Sequence, residues 1–275
     1  MSPLILMSAP NGARRTKADH PKLPLTPDEL AAEALRVADQ GATLLHLHVR
    51  DDEDGHSLDP DRYQAAIEAI KSAIGERMVI QITTEAVGRY GPDEQIDVVR
   101  ALRPQSVSLA LRELIPSEDD TDIERGQSFF RWLREEGIAP HFILYTTDDV
   151  RRYEMFRTRG IIPQEKPFAL FVLGRYVDPT EVSANDLLPF LRDHDQTCPW
   201  SICAFGPVES AASLAAAALG GHVRVGFENN LWRADGQLAE GNETLVKQVK
   251  DGASLMGRPL ASVKDTRAFL TETAA

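Results

Sequence analysis

The sequence predicts an α/β fold closed as a (β/α)8 barrel, on three observations. Short β-type apolar runs alternate with longer helical patterns along the chain. Eight runs and eight helical stretches are the arithmetic of that barrel. The length, 275 residues, suits one such barrel of about 250 residues. An open doubly wound sheet would usually carry a Gly-rich phosphate turn after an early strand, and none is present. The chain is therefore read as a single barrel domain over residues 1–275.

The expected strands, in order, are Leu4–Ser8, Thr43–Val49, Met78–Thr83, Ser106–Leu109, His141–Tyr145, Phe168–Leu173, Trp200–Ala204 and Val223–Phe227. The helical stretches named between them are Pro27–Gln40, Pro60–Ile74, Asp93–Leu102, Asp122–Glu136, Asp186–His194 and Val208–Leu219. Thr26-Pro27-Asp28-Glu29 opens the first of these well, with an N-cap Thr, Pro in the first turn and early acids that suit the helix dipole. Glu243–Met256 reads as the eighth helix and Leu260–Thr271 as a closing one.

Composition narrows the function. Apolar residues make up 43% of the chain, ample for a large core, and the net charge is −12. That charge argues against a nucleic-acid partner, since no dominant basic patch forms. No stretch approaches the roughly 18–20 apolar residues that span a bilayer, and Pro3–Met7 is too short for a signal-peptide core. A cytoplasmic protein is expected. Cys198 and Cys203 have neither disulfide-framework nor zinc-knuckle spacing and read as two reduced core thiols. On a strand they would point to opposite faces.

The most informative strand is Thr43-Leu-Leu-His-Leu-His-Val-Arg50. Alternation puts His46, His48 and Arg50 on one face and Leu45, Leu47 and Val49 on the other. The aliphatic face suits packing under helices, which turns the histidines into the barrel. Imidazoles at i and i+2 start about 6.5–7 Å apart at Cα, a span that tilted rings can close onto one ion. The same pair would also serve as hydrogen-bonded core histidines. Position favours the ion, because barrel active sites lie at strand C-terminal ends. Glu228 closes the eighth strand, which is even-numbered like the second, so it can reach the histidines' level. Two His and one Glu with an open position is a catalytic zinc composition. Otherwise Glu228 caps the turn that follows it.

Together with these segments, Asn11-Gly-Ala13, Leu25-Thr-Pro27, His46-Leu-His-Val-Arg-Asp51, Phe171-Val-Leu-Gly174, Gly220-Gly-His-Val-Arg-Val-Gly-Phe-Glu228, Asn242 and Met256-Gly-Arg258 resemble the β-keto acid cleavage enzymes, among them the 3-keto-5-aminohexanoate cleavage enzyme. The motif order is kept over nearly the whole length. The resemblance implies a (β/α)8 barrel, usually a homotetramer, with a divalent metal, typically zinc. It implies exchange of a β-keto acid with acetyl-CoA, giving acetoacetate and a new acyl-CoA. Carried over by position, His46, His48 and Glu228 are the ligands and Arg224 is the active-site arginine. Thr83 or Thr84 stands where the family has a Ser-Thr pair, and Ser108 falls near the fourth-strand hydroxyl.

Three family acids are replaced. Asn229 follows the metal-binding Glu where an acid is usual. His141, Phe142 and Ile143 follow Pro140 where glutamates are usual. Arg14 stands in the first loop in place of a Glu. Candidate replacements are Glu85 and Glu113, just past the third and fourth strands, and Tyr145. Arg14, Arg15 and Lys17 could meet a phosphate or carboxylate of the co-substrate. Two other readings accompany the leading one: an aldolase-like lyase that keeps the metal without CoA, and a metal-binding protein that has lost catalysis with its acids.

Overall fold

The computed structural model of the chain describes residues 2–178 and 181–275; Met1, Pro179 and Thr180, inside the span expected for the single domain, lie outside the described residues. Eight parallel strands close a barrel: β1 (Leu6–Ser8), β2 (Leu44–Leu47), β3 (Val79–Thr83), β4 (Ser106–Ala110), β5 (Ala139–Leu144), β6 (Phe168–Leu173), β7 (Trp200–Ala204) and β8 (His222–Val225). Each pairs with its neighbours in sequence, and β8 returns to β1 with Leu6 opposite Val223.

Besides a single turn at Leu111–Leu114, the α-helices are α1 (Pro27–Asp39), α2 (Pro60–Ile74), α3 (Pro92–Leu102), α4 (Asp120–Glu136), α5 (Thr147–Thr158), α6 (Leu187–Asp193), α7 (Glu209–Ala218), α8 (Asn242–Leu255) and a closing α9 (Val263–Ala274). In α1, Thr26 and Glu29 form a reciprocal capping box and Pro27 occupies the first turn. Leu30, Ala34 and Val37 then recur at helical spacing and are buried on the sheet. Burial of a Leu or Val of this kind stabilises by about 1.5–3 kcal/mol.

Several elements differ from expectation, four of them with a readable cause. Helix α5 was not among the named stretches; its segment is strongly charged, and only Val150, Tyr153 and Phe156 are buried. Its readable signal is the capping box of Thr146 with Asp149. The closing helix starts at Val263 rather than Leu260, because Leu260 bridges to Leu4 and Ser262 caps the helix with Asp265. The second strand stops at Leu47: Val49–Arg50 instead pairs antiparallel with His56–Ser57 in a small hairpin. The eighth strand stops at Val225, because Gly226 takes φ +145°, with a Cβ there falling 2.3 Å from Ala9 O.

Strand alternation divides the interior into layers. Outward side chains such as Leu45, Leu47, Ile202 and Val223 join the core under the helices. Inward, Ile5, Met7, Leu44, Val79, Ala139 and Phe168 form an apolar plug with α9 at the N-terminal end. Above it lies a polar layer containing His46, Gln81, Ser106, His141, Ser201 and Arg224, each at most 2% exposed. That layer ends at the C-terminal mouth.

Candidate metal centre

His46 faces inward one residue before β2 ends, and His48 follows just beyond it. The strand break frees His48 from the sheet, and its backbone oxygen accepts from Asn11 Nδ2 at 3.1 Å. Glu228 stands three residues past β8 on a turn. That turn is fixed by Phe227 N donating to Asn242 Oδ1 at 2.7 Å and Glu228 N donating to Ala9 O at 3.1 Å. Gly12 makes room for the carboxylate: φ is +63°, and a Cβ would fall 2.5 Å from Glu228 Cγ.

The three side chains converge. His46 Nε2 and His48 Nε2 are 3.1 Å apart, and Glu228 Oε2 lies 3.5 Å and 3.6 Å from them. Ligand atoms bonded at 2.0–2.1 Å to a tetrahedral zinc are separated by about 3.3 Å. The triangle therefore fits a zinc-sized ion. Glu228 Oε2 is buried and has no hydrogen-bond partner among the described residues, as an oxygen reserved for a cation would be. Burial, aided by the Arg224 charge, pushes His46 well below its usual pKa, so the ring is neutral and able to ligate. Burial alone would raise the Glu228 carboxyl, yet the Arg224 charge beside it holds it well below the carboxylate range.

Arg50 does not join this group. It ends in the hairpin and spends its guanidinium on backbone oxygens, donating from Nη2 to Gly12 and Arg15 and from Nη1 to Asp54. It shapes the first loop instead of lining the barrel.

Arg224, inward on β8, donates from Nη2 to Glu228 Oε1 and Cys203 Sγ, both at 3.3 Å. Its Nε and Nη1 are buried without partners among the described residues. Two small adjoining cavities open beside it and share Glu85, Arg175, Phe205 and Glu228 in their walls. His46, Thr83, Ile143, Tyr145, Val172 and Arg224 complete one; Asn11 to Arg15 complete the other. A larger cavity, about 650 Å³, lies at the opposite end of the barrel against Lys166, Trp200 and Phe269. It is remote from this chemistry.

The expected site residues separate on these walls. Thr83 lines the cavity, and its Oγ1 accepts from Glu85 N at 3.1 Å and from Ser108 Oγ at 3.4 Å. Thr84 turns away and donates to the β4 carbonyl of Ser108 at 3.1 Å. Glu85 faces Arg175 at 3.3 Å across the mouth. Glu113 is occupied by Ala86 N and Gln95, and burial raises its pKa. The Tyr145 hydroxyl is pushed well above its usual value by burial and so keeps its proton. Asn229 is fully buried, and neither atom of its side-chain amide has a partner among the described residues. Arg14 is exposed on the rim. Its neighbour Arg15 points further in: Nη2 donates to Asn229 O at 3.2 Å, and Nη1 is buried without a partner among the described residues. Both cysteines are free and buried, and burial pushes the Cys203 thiol up to about 11.

Sequence reasoning did not single out Arg175 or the inward polar residues Gln81, Ser106 and Ser201. Strand alternation carried the signal for the last three, since Gln81 is two residues before Thr83 and Ser106 two before Ser108.

Comparison with known proteins gives a consistent outcome. The family described as beta-keto acid cleavage enzyme matches residues 3–271. The 3-keto-5-aminohexanoate cleavage enzyme of Fusobacterium nucleatum is 29% identical over 276 residues, covering 98% of each chain. The 3-oxoadipate:acetyl-CoA acetyltransferase of Cupriavidus necator is 30% identical over 280 residues, covering 98% of this chain and 94% of that protein. Among solved structures, apo ObcA superposes with a TM-score of 0.72 at 17% identity, over 91% of this chain. The chain spans 65% of the ObcA chain. No helix of the described residues is long and apolar enough to cross a membrane.

Proposed function

We propose, for a chain that belongs to the beta-keto acid cleavage enzyme family, that this enzyme exchanges a β-keto acid with acetyl-CoA, giving acetoacetate and a new acyl-CoA. One observation carries the reading: the His46, His48 and Glu228 triangle stands directly beside an arginine with unused, buried N–H groups. The first would hold a divalent ion, with zinc the best match to the donor set. The second suits a carboxylate.

When bound there, the ion supplies Lewis-acid polarisation of the ketone oxygen. The remaining chemistry belongs to side chains. Arg224 holds the substrate carboxylate through Nε and Nη1. Glu85, the acid of the cavity wall besides Glu228, takes a proton from the carbon between ketone and carboxylate. The resulting carbanion attacks the acetyl carbonyl and expels the CoA thiolate. That thiolate then attacks the original ketone carbon, the carbon–carbon bond breaks, and Glu85 returns the proton to form acetoacetate. Thr83, whose Oγ1 accepts from Ser108 Oγ and so keeps its own proton free, offers its hydroxyl to an oxygen that gains negative charge. Arg14 and Arg15 at the rim suit the phosphates of the co-substrate. The family pattern adds a homotetramer, and the sequence-based expectation places it in the cytoplasm.

The test is a panel of β-keto acids, 3-oxoadipate among them, incubated with and without acetyl-CoA, alongside metal analysis of the purified protein. Acetoacetate should appear only with the thioester, and His46→Ala should lose the metal. Cleavage that proceeds without acetyl-CoA, or full metal retention by His46→Ala, would overturn the reading.

A further inference from the structure

Beneath the three-ligand cluster, the barrel holds a buried hydrogen-bonded chain. His46 Nδ1 lies 3.0 Å from Gln81 Oε1; Gln81 Nε2 lies 2.9 Å from Ser106 Oγ and 3.4 Å from His141 Nδ1; His141 Nε2 lies 2.7 Å from Ser201 Oγ. All five side chains are at most 1% exposed.

The direction of every proton follows from the two far ends. Ser106 Oγ is 3.0 Å from Ala139 O, and Ser201 Oγ is 3.2 Å from Ala169 O. A backbone carbonyl only accepts, so each hydroxyl proton is spent there and each Oγ must accept its second bond. Ser201 therefore takes the Nε2–H of His141. That leaves His141 Nδ1 bare, stacked on Phe168 with ring centroids 3.9 Å apart, and able only to accept. Ser106 likewise accepts from an N–H. Both requirements turn the Gln81 amide the same way, its NH2 toward Ser106 and His141 and its oxygen toward His46. An amide oxygen cannot donate, so the His46 proton sits on Nδ1 and the Nε2 lone pair faces His48 and Glu228.

We propose that Gln81 is a positioning residue, oriented by Ser106 and His141, that sets the His46 tautomer so that Nε2 is ready for the ion. The proposal rests on the metal reading above. It separates the two imidazoles. His48 Nδ1 is buried with no partner among the described residues, so nothing presets that ring. Without an ion, the 3.1 Å contact requires His48 Nε2 to donate to His46 Nε2. Ion binding therefore removes the His48 proton from Nε2 and places one on Nδ1, while His46 keeps its tautomer.

The experiment combines ring-nitrogen NMR of ¹⁵N-histidine-labelled full-length protein, before and after zinc addition, with zinc affinity from competition against a chelating dye. His46→Asn and His48→Asn assign the resonances. The expected result is an Nδ1–H tautomer for His46 throughout, and for His48 a change from Nε2–H to Nδ1–H on zinc binding. An Nε2–H tautomer for His46 in the zinc-free protein would overturn the proposal without any variant having to fold. In the affinity arm, Gln81→Leu should bind zinc about 10–100-fold more weakly. Gln81→Glu keeps an acceptor facing His46 and should bind zinc more tightly than Gln81→Leu, even though it loses the NH2 that Ser106 and His141 accept from. Equal affinity for Gln81→Leu and wild type would also overturn it. Wild type that binds no zinc would overturn the metal reading instead, and the zinc-free tautomer would then decide the role of Gln81 alone.

Discussion

Arg224 and Arg258 are both almost completely buried, at 2% and 1% exposure, yet they sit at opposite ends of the barrel and are used differently. Arg258 donates from Nε to Ser2 O, from Nη1 to Ala217 O and Gly221 O, and from Nη2 to Gly220 O. It satisfies the carbonyls where α7 ends and the chain turns into β8. Arg224 leaves two nitrogens idle beside the cavity. A buried donor left unpaired costs free energy, and the fold tolerates that cost at the mouth. At these two arginines, spare hydrogen-bonding capacity goes with the cavity and exhausted capacity with the opposite end.

Substituting the two arginines should pull activity and stability apart. Arg224→Met should lower turnover by about 10²–10³-fold, the scale of losing a charge-stabilising donor, while zinc content and melting temperature hold. Arg258→Met should instead cost about 3 kcal/mol, by stranding backbone carbonyls, with turnover per folded molecule unchanged. Calorimetry beside steady-state kinetics decides it; the contrast collapses if both variants lose mainly stability.

The adjacent threonines repeat the contrast on a smaller scale. Thr83→Val should lower kcat about tenfold, because its hydroxyl lines the cavity, and should also lose about 1 kcal/mol of stability, because Glu85 N and Ser108 Oγ lose their acceptor. Thr84→Val should lose about 1 kcal/mol of stability and keep kcat, since its hydroxyl is spent on Ser108 O. The same pair of measurements applies, and equal kinetic losses would refute the division.

The gentlest effect at any one pH is a pH slope at the Arg258 end of the barrel. Burial lowers His222 to about 3, and its Nδ1 accepts from Ile5 N at 3.0 Å. The unfolded chain, with an ordinary histidine near 6.5, binds a proton that the folded chain refuses between pH 6.5 and 3. The stability His222 contributes is therefore complete above pH 6.5 and is lost on acidification through that window. Its share is about 1.4 kcal/mol per pH unit. Urea titrations of His222→Gln from pH 6.5 down to 4 should show a slope shallower by that amount; an unchanged slope would refute it.

Much of this was legible in the sequence because periodicity reports burial directly. The eight strands and the inward turn of His46 follow from alternation alone, and the barrel follows from the count. What alternation could not report is where a strand ends. Arg50 shares the parity of His46, yet the chain leaves the sheet after Leu47 and carries Arg50 into a hairpin. Glu228 was expected to owe its level to an even-numbered strand. It owes it to a turn held by Ala9 and Asn242, contacts that no local pattern encodes. The α5 segment hid its buried face among charges, although its capping box was readable. The Thr83 and Thr84 roles separated only in three dimensions, because the question was which hydroxyl had already spent its proton: Thr84 donates to Ser108 O, whereas Thr83 only accepts.

The close approach of Gly12 to Glu228 has a mechanical consequence. His46 belongs to β2 and Glu228 follows β8, and between them lies β1, a three-residue strand that alone joins the two. An ion shared by His46 and Glu228 acts as a rivet across this narrowest stave of the barrel, tying positions 182 residues apart in the chain. Cross-links that close loops of this length restrict the unlinked ensemble most. Loading the ion would then clamp the β8–β1–β2 seam against local opening, so occupancy would set how long the barrel stays shut as well as what it can catalyse.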